Sequence, residues 1–256
     1  MRWIYISPHF DDAVLSCGGL IWEQSTAGIP VEIWTVNAGD PPDGPISDLI
    51  TRVHAMWKTG TPQETINLRR IEDQNAVHRV GAEFRHLRMV DAIYRRTADG
   101  MLMYTQDVFD PIHPDESNIV AEVADQISRE LIETDIIVCP LALGGHVDHI
   151  ITRRAVESIH SLLYHSNSPE NRTGPAIWYY ADIPYLFKHE DELAPATEGM
   201  RAKNIPVSDQ GLVAWQEGIV AYESQISSLF SDLQDMRNQI NDYCILKNGQ
   251  TIWERI

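Results

Sequence analysis

The chain is predicted to form an α/β fold: a single Rossmann-like domain with a mostly parallel sheet, helices on both faces and a small C-terminal β-hairpin. Short runs of β-forming residues alternate along its 256 residues with longer segments of helical periodicity. Such alternation is typical of parallel strands joined by helices. No long biased linker divides the sequence, so we expect one domain over residues 1–256.

Five short apolar runs are predicted as the parallel strands, because loop-forming residues bound each of them. They are residues 3–7, 31–38, 84–89, 136–139 and 177–180. Near the C-terminus, Asn248-Gly249 stands between two runs rich in β-forming residues, which predicts the hairpin.

Helices are predicted in the segments between the strands. The clearest pattern is Ile119, Val123, Ile127 and Leu131, an apolar residue at every fourth position. The predicted helices are 13–27, 46–57, 64–80, 118–131, 150–163 and one long helix, 215–236. Long loops in compact domains are often functional, so we expect substrate specificity in loops 39–45, 91–116 and 165–175.

The composition excludes several classes of partner. With 20 basic and 37 acidic residues the net charge is −17, which repels nucleic acids and anionic membrane surfaces. No apolar run approaches the ~18 residues of a membrane-spanning helix. Cys17, Cys139 and Cys244 are too few and too scattered for a disulfide framework. Together with an N-terminus that resembles no secretion leader, they favour a cytoplasmic protein; a homo-oligomer remains possible.

The first polar cluster, Pro8-His9-Phe10-Asp11-Asp12, follows the first predicted strand. Ligands bind at the carboxyl ends of the strands in open α/β sheets. His9 and Asp12 are three residues apart, so a turn can aim both side chains at one point. The adjacent Asp11 points elsewhere, which indicates a different task. The alternative interpretation is a helix N-cap beside an ordinary loop histidine.

A second cluster repeats this arrangement after the fourth strand. Gly144-Gly145 precedes the run His146-Val147-Asp148-His149, and a predicted helix follows. If the sheet reverses direction at its first strand, strands one and four are neighbours and the two clusters meet. The glycines allow the backbone to approach a ligand closely.

Histidine and aspartate donors from two such clusters suit Zn²⁺, although Fe²⁺ or Co²⁺ are possible because nitrogen and oxygen ligands discriminate poorly. Three protein ligands leave a fourth position for water, as in catalytic zinc sites. The remaining carboxylate and imidazole become acid–base candidates. The residues therefore predict a metal-dependent hydrolase.

The two clusters resemble the motifs PHxDD and HxDH of the PIG-L/LmbE-like family of zinc-dependent N-acetylglucosaminyl deacetylases. Between and after them the resemblance extends in the expected order over residues 7–225, with Ala13 where many members have Glu. The further matches are Arg69, Glu72 and Ala76 on one helix, then Gly81, Asp91 and the run Tyr222-Glu223-Ser224-Gln225.

The resemblance implies a role for each cluster residue. Asp11 would be the general base that activates water. His146, as a cation, would stabilise the tetrahedral oxyanion, and Asp148 would hold His146 in orientation. The implied zinc ligands are His9, Asp12 and His149.

By the same resemblance Arg69 and Asp91 would contact sugar hydroxyls; alternatively Arg69 forms a solvated surface ion pair and Asp91 is a turn residue. The implied reaction removes an N-acetyl or other N-acyl group from an amino sugar or glycoconjugate, a small molecule, and releases acetate and a free amine. Two alternatives remain: a zinc amidase acting on a sugar–thiol conjugate, and a catalytically silent sugar-binding protein.

Overall fold

A seven-stranded sheet forms the centre of the structure, a computed structural model that describes residues 1–109, 111–165 and 175–255. Its first five strands are parallel and confirm the predicted mostly parallel α/β sheet. They are β1 (Trp3–Ser7), β2 (Val31–Thr35), β3 (Glu83–His86), β4 (Ile136–Pro140) and β5 (Ala176–Tyr180).

The strand order places the two polar clusters side by side. From one edge the sheet runs β3-β2-β1-β4-β5. The strands β2 and β3 are therefore added on one side of β1, and β4 and β5 on the other. In register, Trp3 lies opposite Ile136 and Tyr5 opposite Val138. The carboxyl ends of β1 and β4 are therefore neighbours, and the loops that follow them border one crevice.

Helices connect the strands. The first seven are α1 (Asp12–Thr26), α2 (Asp48–Trp57), α3 (Pro62–Arg79), α4 (Ile119–Ser128), α5 (Val147–His165), α6 (Tyr185–Lys188) and α7 (Glu190–Ala196). No helix among the described residues has both the length and the apolar character needed to cross a membrane.

The C-terminal part differs most from expectation. The single helix predicted over 215–236 is wrong, because three helices occupy this region: α8 (Asp209–Val220), α9 (Glu223–Leu229) and α10 (Leu233–Lys247). The break between α8 and α9 is tertiary in origin. Ser224 donates its backbone N–H to Glu72 of α3 at 2.7 Å, which holds the start of α9 against α3.

A C-terminal antiparallel strand pair exists, but it consists of β6 (Met200–Ile205) and β7 (Gln250–Arg255), and β7 also pairs antiparallel with β5. The strand predicted just before Asn248-Gly249 is wrong, since these residues end α10. Asn248 has φ 50° and caps that helix. An Asn-Gly pair with positive φ angles occurs both at helix C-termini and in hairpin turns, and the sequence alone did not distinguish these two structures.

Helix α1, which carries the end of the first cluster, is fixed on the sheet by α8. A Cβ on Gly18 of α1 would lie 2.4 Å from the buried ring of Trp215. The absence of a side chain lets that ring approach the helix, and its Nε1 donates to the carbonyl of Leu15 at 3.1 Å.

Two of the three predicted specificity loops are described, apart from residue 110 in the second of them. Residues 39–45 contain no helix or strand. Residues 91–116 contain two 3₁₀ turns, Ala92–Tyr94 and Pro114–Glu116. Most of loop 165–175 lies outside the described residues.

Candidate active site

Three imidazoles from the two predicted clusters converge at the carboxyl ends of β1 and β4. The ring centroids of His9 and His149 are 5.4 Å apart, those of His9 and His146 4.7 Å, and those of His146 and His149 5.3 Å. His9 thus shares one site with two histidines that lie at least 137 positions further along the chain.

The loop after β1 is held largely by its own hydrogen bonds. The Asp12 carboxylate accepts the backbone N–H of His9 at 2.7 Å, which draws both side chains to the same side. Ser7 Oγ accepts the N–H of Ala13 at 3.0 Å and anchors the start of α1. From outside the loop, the hydroxyl of Tyr222 lies 2.7 Å from the carbonyl oxygen of Phe10.

The loop after β4 depends on residues from beyond β5. One carboxylate oxygen of Asp182 is 2.6 Å from His149 Nδ1, and the other accepts the N–H of Leu143 at 3.0 Å. Glu192 accepts the N–H of Gly144 at 2.8 Å. Gly144 has φ 77°, and a Cβ there would lie 2.5 Å from the Tyr185 ring, so glycine suits this position on both counts.

Sequence reasoning missed Asp182, although a signal was available. It follows β5, the next strand of the sheet after β4, as the two clusters follow β1 and β4. The rule that selected those clusters also selects a buried carboxylate at this position. Its bond to Nδ1 leaves His149 Nε2 as the ring's unprotonated nitrogen.

The donor atoms at the bottom of the crevice fit a divalent cation. His149 Nε2 is buried without a hydrogen-bond partner and lies 3.4 Å from Asp12 Oδ2. His9 Nδ1 lies 3.2 Å from the same oxygen. Bonds of about 2.0–2.2 Å place tetrahedral zinc donors roughly 3.3–3.5 Å apart. A divalent cation placed between these atoms would bind all three donors.

Another donor set in the same cluster is His9, His146 and His149, with one ligand atom of each within 4.8 Å of the others. The chemistry of His146 favours Asp12 as the third donor instead. His146 Nδ1 accepts the backbone N–H of Asp148 at 3.1 Å, so the proton of the neutral ring sits on Nε2. A ring in that state has no free lone pair for a metal.

The hydrogen bond from the Asp148 N–H to His146 Nδ1 argues against the cationic state expected for His146. An imidazolium cannot accept a hydrogen bond at Nδ1. Burial, and next the nearby His9, place the pKa of His146 well below its usual value. Both observations favour the neutral form of His146, which lines the cavity.

The expected role of Asp148 changes too. Its carboxylate was expected to orient His146, but only its backbone N–H contacts that ring. One carboxylate oxygen lies 3.0 Å from His9 Nε2 and accepts the N–H of Ala92 at 3.0 Å. The other oxygen contacts the Arg95 guanidinium. Asp148 thus orients the histidine of the first loop.

Asp11 and Arg69 stand together at the cavity wall. Arg69 Nη2 is 3.5 Å from Asp11 Oδ1, and the guanidinium lies between the rings of Phe10 and Trp57, at 5.3 and 4.6 Å from their centroids. Arg69 is only 3% exposed, so the surface ion-pair interpretation is wrong. Burial raises the pKa of Asp11 to about 6, although the charge of Arg69 opposes this shift.

Asp91 is a turn residue, as one of its two interpretations expected, and it also lines the cavity. One oxygen accepts the N–H of Ile93 at 3.2 Å and caps the 3₁₀ turn Ala92–Tyr94. The other oxygen lies 3.7 Å from Arg69 Nη1 and 4.0 Å from His9 Nε2. The turn therefore presents a carboxylate to the cavity.

These groups line one cavity of about 720 Å³. Polar side chains near the histidine cluster line one part of it: His9, Asp11, Asp12, Arg69, Asp91 and His146. The rest of the wall combines apolar side chains, among them Val53, Met56, Trp57, Val108, Phe109 and Leu229, with the polar side chains of Lys188, His189, Gln225 and Ser228.

Fold and site together define a Rossmann-like α/β protein with a candidate metal centre at the carboxyl ends of its parallel strands. A family model described as GlcNAc-PI de-N-acetylase, PIG-L, matches residues 4–160, and the chain belongs to this family. The match runs from β1 into α5 and includes both histidine loops; Asp182 and Glu192 lie beyond it.

Two curated relatives are named 2'-N-acetylparomamine deacetylase. The one from Niallia circulans is 26% identical over 263 residues, covering 98% of this chain and 89% of that protein. The one from Streptomyces fradiae is 26% identical over 186 residues, covering 72% of this chain and 57% of that protein.

Among solved structures, the zinc-inhibited form of teicoplanin deacetylase superposes with a TM-score of 0.81 at 26% identity, over 99% of this chain and 97% of that one. N,N'-diacetylchitobiose deacetylase from Pyrococcus horikoshii is similar in fold, with a TM-score of 0.59 at 14% identity, over 99% of this chain and 82% of that one. The expected family and the class of N-deacetylase are confirmed.

Proposed function

We propose that the protein removes the N-acetyl group of an amino sugar within a small-molecule glycoconjugate and releases acetate and a free amine. The observation that carries the proposal is the meeting of the donors His9, Asp12 and His149 at the base of a cavity that Asp11, Arg69 and Asp91 line. The relatives named for N-acetylated sugar compounds support it.

His9, Asp12 and His149 would hold the divalent ion, and Zn²⁺ is the proposed one because two imidazoles and one carboxylate suit it. When bound, such an ion supplies Lewis-acid polarisation of the amide carbonyl and makes water a stronger nucleophile near neutral pH. Fe²⁺ and Co²⁺ remain alternatives, since the same donors accept them.

Asp11 is the proposed general base. It is not among the donors that face one another at 3.2 and 3.4 Å, and it lines the cavity where the amide must lie. Asp11 takes the proton of the attacking water as the new C–O bond forms. When the C–N bond breaks, Asp11 returns that proton to the leaving nitrogen, which balances the reaction.

His146 is the proposed oxyanion donor. Its Nδ1 accepts the Asp148 backbone N–H, so Nε2–H is free to donate to the carbonyl oxygen of the substrate. This hydrogen bond strengthens as negative charge develops on that oxygen. Because the ring is held before substrate binds, no reorganisation is needed during the reaction.

The cavity favours a glycoconjugate over a free monosaccharide. Arg69 and Asp91 are proposed to bind sugar hydroxyls near the metal-binding donors. A volume of about 720 Å³ falls within the range of about 300–1,000 Å³ that suits drug-sized ligands. The apolar wall around Trp57 and Phe109 offers a surface for the group attached to the sugar.

The acidic composition supports a small-molecule partner rather than a nucleic acid. Cys17, Cys139 and Cys244 are buried and unpaired, which supports the proposal of a cytoplasmic enzyme. We also propose that residues 1–256 form one catalytic unit, because Asp182 and Glu192 hold the loop after β4.

The test measures the release of acetate and of free amine from N-acetylglucosamine, its alkyl and aryl glycosides and a sugar–thiol conjugate. Chelator-treated protein is assayed alone and after addition of Zn²⁺, Fe²⁺ or Co²⁺. We expect acetate from a glycoside only with metal. Binding of these sugars without acetate release by the zinc-saturated protein would favour the silent sugar-binding alternative, and turnover of the thiol conjugate alone would favour the amidase.

A further inference from the structure

A buried ion-pair network lies behind the candidate metal centre, in the irregular segment 91–116. Arg95, which follows the 3₁₀ turn Ala92–Tyr94, is only 7% exposed. Around it Tyr104 is 2% and Glu116 6% exposed. A buried guanidinium needs compensation from its neighbours, so each contact of Arg95 bears on why it is there.

On one side Arg95 is held by the segment itself. Its Nε contacts a carboxylate oxygen of Glu116, and the Tyr104 hydroxyl donates to the other oxygen at 2.6 Å. The guanidinium also lies over the Tyr104 ring, 5.3 Å from the centroid, and Nη1 is 3.3 Å from the carbonyl oxygen of Val90. These contacts fix the direction in which the side chain points.

On its other side Arg95 contacts Oδ1 of Asp148 through Nη1. The second oxygen of that carboxylate lies 3.0 Å from His9 Nε2 and 3.0 Å from the backbone nitrogen of Ala92. Asp148 is fully buried, so water does not compete for it. Both oxygens are thus occupied, and the carboxylate cannot rotate without losing a contact.

We propose that Arg95 is a positioning residue for the candidate metal centre: it clamps Asp148, which in turn fixes the ring of His9 so that Nδ1 points at Asp12. The inference rests on the proposed metal-binding role of His9. The segment 91–116 thereby contributes two residues to the site: Asp91, which lines the cavity, and Arg95, which positions Asp148.

Arginine suits this position better than lysine. Its planar guanidinium lets Nε form an ion pair with Glu116 while Nη1 donates to Asp148, whereas a lysine ammonium is a point charge on a flexible stem. Arg95→Lys therefore retains the positive charge but loses the fixed geometry. The neighbouring Arg96 offers a matched control, because it binds the carbonyl oxygens of Gly100 and Pro45, at 2.9 and 2.6 Å, on another side of the segment.

The experiment measures Zn²⁺ affinity by competition with a chromophoric chelator, the melting temperature of the metal-free protein, and kcat and KM for a substrate the wild type hydrolyses. The variants are Arg95→Lys and Arg96→Lys. Loss of an outer partner of a metal-binding histidine typically costs about 10–100-fold in affinity or activity. We expect roughly tenfold weaker Zn²⁺ binding and lower kcat in Arg95→Lys, with the metal-free melting temperature retained, and no change in Arg96→Lys.

A second variant guards against misfolding. Arg95→Met with Glu116→Gln removes one positive and one negative charge together, and we expect it to bind Zn²⁺ more weakly than Arg95→Lys does. Wild-type Zn²⁺ affinity in folded Arg95→Lys, or a lower melting temperature with unchanged affinity, would overturn the inference. Failure of the wild-type protein to bind Zn²⁺ would instead reject the proposed metal centre itself.

Discussion

The loop after β1 and the loop after β4 hold their histidines in different ways. In the first loop, Asp12 binds the backbone of His9, so the two candidate ligands order each other. In the second loop, His149 depends on Asp182, which lies 33 residues further along the chain. The backbone of the first loop is ordered mainly by contacts within the loop, whereas the backbone of the second is held by residues beyond β5.

The comparison also reveals a shared rule. His9 follows β1 and is oriented by Asp148 from the loop after β4, while His149 from that second loop is oriented by Asp182 after β5. In each case the carboxylate follows the next strand in the sheet. The parallel sheet therefore supplies the histidines and the groups that orient them from adjacent strand ends.

The largest effect is expected from removing a proposed ligand from either loop. His9→Ala and His149→Ala should each lose the metal and at least ~10³-fold of the activity, because two donors remain of three. Metal content of the purified variants and acetate release measure this. His78→Ala, at an exposed position of α3, is the control. Full metal content in His149→Ala would contradict the proposed ligand set.

Asp11→Asn separates the chemical step from metal binding within the first loop. We expect turnover to fall by about 10²–10⁴-fold, the usual contribution of a general base, because the amide cannot accept the proton of water. Metal content should stay that of the wild type, since Asp11 is not a proposed ligand. A near-normal rate in this variant would remove Asp11 from the role of base.

Asp182→Asn tests the dependence of the second loop on β5. We expect Zn²⁺ affinity to fall by about 10–100-fold, because the amide no longer provides a carboxylate for His149 Nδ1. Chelator competition measures the affinity, with Asp191→Asn on the exposed side of α7 as the control. If Asp182→Asn binds Zn²⁺ as tightly as the wild type, the contact does not tune the site.

The smallest effect is expected where the first loop is supported from outside. Tyr222→Phe removes the hydroxyl that lies 2.7 Å from the Phe10 carbonyl oxygen and 2.9 Å from Asp73. We expect the free energy of unfolding to fall by about 1–3 kcal/mol, since buried partners are left unsatisfied. Denaturant unfolding measures the change. Activity should fall only a few-fold, and a loss as large as that of Asp11→Asn would show that the backbone of the first loop depends on this outside contact.

Local patterns in the sequence predicted much of the fold and the two polar clusters. Four of the five parallel strands are short apolar runs, and the two polar clusters follow the ends of β1 and β4. Both features can be predicted without knowledge of distant contacts. Strand β6 was missed because its sequence, Met200–Ile205, is largely exposed and polar, without an apolar run. The helix break at Tyr222 was missed because a distant glutamate on α3 stabilises the start of α9.

By itself, the sequence determined the α/β class, the family and the chemical groups of the candidate site, because apolar periodicity and motifs at strand ends are local properties of the chain. Only the tertiary structure decided which carboxylate orients which histidine, the neutral state of His146 and the burial of Arg69 and Arg95. Those features depend on distances between residues far apart in the chain, and strand order and helix packing set those distances.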